Sequence, residues 1–93
     1  MRYREIVEEI PRPMYVKLSE KILDALLEAK DGGNVPSSLA KTVLYYAQRE
    51  QLSSVAGLTN LLNALSLADP DKAVEILEEF GLEDASIALR AAE

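Results

Sequence analysis

Residues 51–68 read QLSSVAGLTNLLNALSLA, eighteen consecutive residues without a formal charge in a 93-residue chain of which 28% is charged. Val55, Leu58, Leu61, Leu62 and Leu65 recur at intervals of three and four, the spacing that gathers apolar side chains into one stripe of an α-helix. Ser53 or Ser54 stands just ahead of that stripe, where a side-chain oxygen accepts the orphan amide protons of a first turn. Seven of the eighteen residues are polar (Gln51, Ser53, Ser54, Thr59, Asn60, Asn63 and Ser66). A span through hydrocarbon would leave each of them needing an internal partner, so no membrane crossing is expected here. The segment predicts either a central helix wrapped by its neighbours or a helix whose uncharged face is covered by another molecule.

Working outward, Asp69-Pro70 marks the next start: an aspartate oxygen caps free amides, and proline fits a first helical position because it has no amide hydrogen to lose. Ala73, Val74, Leu77 and Phe80 carry the buried face of that helix, and Gly81 is its exit. A last short helix is expected from about Asp84, packing through Ile87, Ala88 and Leu89. Upstream, Pro36 with Ser37 or Ser38 opens a helix to about Glu50 or Gln51 that turns Ala40, Val43, Leu44 and Ala47 inward. The periodicity leaves open whether this helix is continuous with the one over 55–68. Before it, Tyr15, Leu18, Ile22, Ala25, Leu26 and Ala29 keep helical spacing over four turns, ending near Lys30 at the turn Asp31-Gly32-Gly33-Asn34. Tyr3, Ile6, Val7 and Ile10 predict a first helix stopped by an extended corner at Pro11-Arg12-Pro13. No alternation of period two is long enough for a strand. The expected fold is all-α, a compact bundle of five or six short helices in a single domain over residues 1–93, with connections short enough for antiparallel neighbours.

The chain has no cysteine and no histidine. Thiolate nucleophiles, disulfides, thiolate zinc sites, imidazole metal ligands and the commonest general base near neutral pH are all excluded by composition. No catalytic residue, metal or cofactor is expected. Counting from Asp69 for a calcium loop puts Ala73 at the fifth position and Phe80 at the twelfth, where oxygen ligands are required. The acidic run Asp69, Asp71, Glu75, Glu78, Glu79, Glu83 and Asp84 is read instead as a solvated face. The amino terminus, Met1-Arg2-Tyr3-Arg4-Glu5, lacks the apolar core of a secretory signal, so a cytoplasmic protein is expected.

Net charge is −6 and unevenly distributed: residues 1–49 carry eight Lys or Arg against seven Asp or Glu, and residues 50–93 two against nine. An acidic balance of this size discourages nonspecific binding to nucleic acid. The candidate interaction residues are Thr59, Asn60, Asn63 and Ser66, which lie at helical spacing away from the leucine stripe. They form an uncharged face suited to another copy of the chain or a larger protein, since interface centres are depleted in charge. Gly57 would allow close approach. The alternative is a small helical accessory subunit of a nucleoprotein complex. Lys41, Tyr45 and Arg49 stand one turn apart in a row, and a base stacked on the ring between two phosphate-binding cations is the chemistry of single-strand recognition.

Overall fold

Among the described side chains of the first ten residues, Ile6, Val7 and Ile10 are the buried ones. They belong to α1 (Arg2–Glu8) and the turn that closes it, where the Ile10 amide donates to the Val7 carbonyl at 3.0 Å. The computed structural model describes residues 2–31, 38, 41, 45 and 51–92. The extended corner expected over Pro11-Arg12-Pro13 is confined to Pro11 (φ −58°, ψ 130°), and Arg12–Met14 instead form a 3-10 turn. Proline's fixed φ suits a 3-10 turn as well as an extended chain. A Met14 amide bond to the Pro11 carbonyl at 3.0 Å closes it.

That turn feeds directly into α2 (Tyr15–Asp31). Tyr15, Leu18, Ile22, Ala25 and Leu26 are buried as the spacing requires. The Tyr15 hydroxyl donates to the Val7 carbonyl at 2.8 Å, pinning the end of α1 to the start of α2, and the Arg12 guanidinium lies 5.6 Å from the Tyr15 ring centre. Ser19, also buried, donates to the Leu52 carbonyl at 2.8 Å across 33 positions of sequence.

The helix expected from Pro36 to about Glu50 or Gln51, with its inward set Ala40, Val43, Leu44 and Ala47, and the Gly32-Gly33 turn lie outside the described residues, apart from Gln51 at its limit and Ser38, Lys41 and Tyr45 within it. Those three have helical backbone and exposed side chains. The continuity left open by the sequence is decided at Ser54. Residues Gln51–Ser53 form a 3-10 turn and Ser54 is extended (φ −94°, ψ 152°), so α3 (Val55–Ala68) begins as a separate helix. Ser54 Oγ accepts the Gly57 amide at 2.9 Å, the expected cap.

Asp69 Oδ1 accepts the Lys72 amide at 3.2 Å and Pro70 takes the first position of α4 (Pro70–Glu79). Ala73, Val74 and Leu77 are buried as anticipated and Ile76 joins them. Gly81 has φ 72°, the left-handed conformation a helix exit needs. The Leu82 amide reaches back to the Leu77 carbonyl at 3.0 Å and the Gly81 amide to Glu78 at 3.0 Å, which satisfies two orphan acceptors.

α5 (Glu83–Ala92) corrects one expectation: Leu89 is buried and Ala88 half-buried, but Ile87 is 64% exposed. Two residues turn a helix through about 200°, so Ile87 and Leu89 cannot share a face, and Ala85 and Ser86 take the inner positions instead.

Among the described residues there are five α-helices and no strand. α3 is the hub: it packs on α1, α2, α4 and the 51–53 turn, while α5 lies on α1 and α4. The radius of gyration of 11.9 Å is close to the ~12 Å expected when a chain of this length forms one globule. No helix among the described residues is long and apolar enough to cross a membrane.

Candidate functional site

α3 divides cleanly around its axis. Leu58, Leu61, Leu62 and Leu65 face the core with Gly57 and Ala64 beside them. On the other side Ala56 and Leu67 are exposed, and Thr59, Asn60 and Asn63 are half-buried. Steps of four, three and four place Ala56, Asn60, Asn63 and Leu67 in one row along the helix. Two of the polar groups of this side are bonded to their own backbone: Thr59 Oγ1 donates to the Val55 carbonyl at 2.6 Å and Asn60 Nδ2 to the Ala56 carbonyl at 2.9 Å. Such local bonds lower the cost of covering a hydroxyl or amide, because much of its hydrogen-bonding capacity no longer depends on water.

Two of the sequence expectations for this face change. Ser66 is only 5% exposed and its Oγ has no hydrogen-bond partner, so it is turned into the protein and not towards a surface. Gly57 is buried as well, a quarter-turn from the open row. The residue missed by the sequence reading is Leu67, 71% exposed and the most open large apolar side chain described. Its signal was available: it lies four positions after Asn63 and falls outside the Leu58, Leu61, Leu62, Leu65 stripe. The buried orphan hydroxyl carries a prediction. Ser66→Ala removes an unsatisfied polar atom and installs a better helix former, so it should raise the unfolding free energy by about 1 kcal/mol in urea titration. A loss of stability would mean that Ser66 has a hydrogen-bond partner in the folded protein.

Of the row Lys41, Tyr45 and Arg49, the first two each have helical backbone and an exposed side chain, and Arg49 lies outside the described residues. The acidic side chains of the second half are distributed over separate tasks. Asp69 caps α4, Glu75 meets Lys72 Nζ at 3.6 Å, and Glu78 meets Arg90 at 3.7 Å. Among the described residues no three of them converge in the manner of a metal site.

Comparison with protein-family models, with curated proteins and with solved structures gives no match.

Proposed function

We propose that this chain is a non-enzymatic protein-interaction module that pairs with a second copy of itself through the open row of α3. The observation that carries this reading is Leu67, 71% exposed at the end of a row without a charged residue. Covering it removes apolar surface from water, and the backbone bonds of Asn60 in the row and of Thr59 beside it lower the cost of dehydrating those two side chains.

The order of residues along the row also suits self-pairing. Its four-three-four spacing is the same in both directions, so an antiparallel crossing about a two-fold axis sets Leu67 of one copy against Ala56 of the other. The same axis sets Asn60 against Asn63. Large meets small and amide meets amide, the self-complementarity that an isologous contact requires. A helix of this length is about 21 Å long, and one face of it buries well under the ~800 Å² per partner of a standard interface. The expected pair is therefore weak and concentration-dependent.

Sedimentation velocity over a hundredfold range of concentration, reaching about 1 mM, tests it. The mean mass should climb towards that of a dimer, and Leu67→Glu should weaken pairing at least ~10-fold, since each interface loses the contact twice and gains two unpaired charges. Helical circular dichroism should be unaltered because the side chain is mostly in water. A mass that stays monomeric throughout, or a dimer indifferent to both Leu67→Glu and Asn63→Glu, contradicts the reading.

A further inference from the structure

Away from the α3 row, α1 and α5 enclose a groove of about 440 Å³ lined by Glu5, Ile6, Glu9, Ala88, Ala91 and Ala92. A second depression adjoins it at Glu9 and runs towards Gly81, adding Glu83 and Asp84. The helical period explains the layout. On one side stand Glu5 and Ile6 of α1 with Glu9 and Ile10 of the turn that closes it, and Asp84, Ala88 and Ala91, at helical spacing, make the facing row on α5. The floor is apolar and short of side-chain bulk, because three alanines contribute only methyl groups. Ile87, 64% exposed, extends the apolar surface along the outer side of α5 beside Ala91.

The described charged residues lining this groove are all of one sign. Its described ionisable lining is Glu5, Glu9, Glu83 and Asp84, with no cation among them. On the two flanking helices Arg4 is engaged with Glu8 at 3.0 Å and Arg90 with Glu78 on α4 at 3.7 Å. Glu9 is also placed against its local field. It follows the carbonyl end of α1, whose last turn holds no basic residue, and a carboxylate there is repelled by the helix dipole. A cation brought in from outside would relieve that repulsion. A methyl-lined floor with empty volume, flanked by carboxylates that meet no cation among the described residues, has the complementary shape and sign of an amphipathic helix with large aliphatic residues on one face and Lys or Arg beside them.

The geometry points to the α1–α5 groove as a docking site for a basic amphipathic helix of another protein. Leu or Ile side chains of that helix occupy the space over Ala88, Ala91 and Ala92, and its cations meet Glu5, Glu9 and Asp84. This surface is separate from the α3 row, and its occupancy does not depend on self-pairing.

The test uses the full chain and a fluorescein-labelled synthetic helical peptide with Leu at positions i, i+3, i+4 and i+7 and Lys or Arg elsewhere, followed by anisotropy. Three comparisons accompany it. One is the same peptide with Ser for every Leu. A second is the variant Glu5→Lys with Glu9→Lys. The third is Glu20→Lys with Asp24→Lys, the same charge change at exposed positions of α2. The groove reading expects saturable binding that falls at least ~10-fold on removing the leucines and at least ~10-fold for the α1 reversal, with much less change for the α2 reversal. Absent binding, equal loss from both reversals, or equal affinity of the serine peptide overturns it. The last two outcomes assign the attraction to net charge alone. All four substituted positions are exposed, and circular dichroism confirms that each variant retains its helices.

Discussion

Tyr15→Ala is expected to lower the unfolding free energy by about 4 kcal/mol, the range for removing a buried aromatic ring and leaving the cavity behind. Two losses combine at this position. The ring is only 2% exposed at the start of α2, and its hydroxyl donates at 2.8 Å to the carbonyl of Val7 in the last turn of α1. α1 has seven residues, far below the ~12–15 at which an isolated helix becomes even marginally stable in water, so it depends on tertiary contacts. Tyr15→Phe separates the two contributions. It keeps the ring and deletes one buried hydrogen bond, which should cost about 1 kcal/mol. The amides at the end of α1 should then exchange with solvent faster while those in the middle of α3 keep their protection. A Phe variant as damaging as the Ala variant would show that the hydroxyl, and not the ring, holds this corner.

Leu62→Ala is expected to cost about 3–4 kcal/mol, the usual result for truncating a fully buried leucine that its neighbours cannot close over. Leu62 is 0% exposed on the core side of α3, the helix on which α1, α2 and α4 all pack. Domains of this size have a total stability of roughly 5–14 kcal/mol, so the loss is a large fraction of the whole. In thermal denaturation it corresponds to a drop of about 15 °C or more. Leu67→Ala, five residues along the same helix at 71% exposure, should change stability by less than about 0.5 kcal/mol. The pair of leucines is thus an internal control measured in urea. Similar costs at both positions would mean that the two sides of α3 are not divided into core and surface in the way described above.

Most of the helices were legible in the order of residues because the signals that make them are local. Asp69-Pro70 starts α4 with a cap and a preset φ, and Gly81 ends it at φ 72°. Leu58, Leu61, Leu62 and Leu65 are buried at the spacing that put them on one stripe. The candidate interface was only partly legible. A charge-free stretch said that α3 differs from the other helices, and Thr59, Asn60 and Asn63 do lie along its partly open side. Ser66 was misplaced because the sequence shows only its angle around α3, and that angle sits at the margin between covered and open. Which way a marginal position falls depends on how near the adjacent helix lies. Ile87 was misassigned for a different reason: three consecutive apolar residues were grouped as one packing unit, although adjacent positions on a helix are about 100° apart.

Every helix end, cap and apolar stripe depends on atoms within about four residues of one another, and interactions of that reach are written into the order of side chains. The bond from Ser19 to the Leu52 carbonyl, the inward turn of Ser66, the openness of Leu67 and the groove between Glu5–Glu9 and Ala88–Ala92 depend on helices brought together from distant parts of the chain. Several arrangements of the same amphipathic helices would bury the same leucines. Only the packing that closes without large voids selects among them, and with it the faces left for partners.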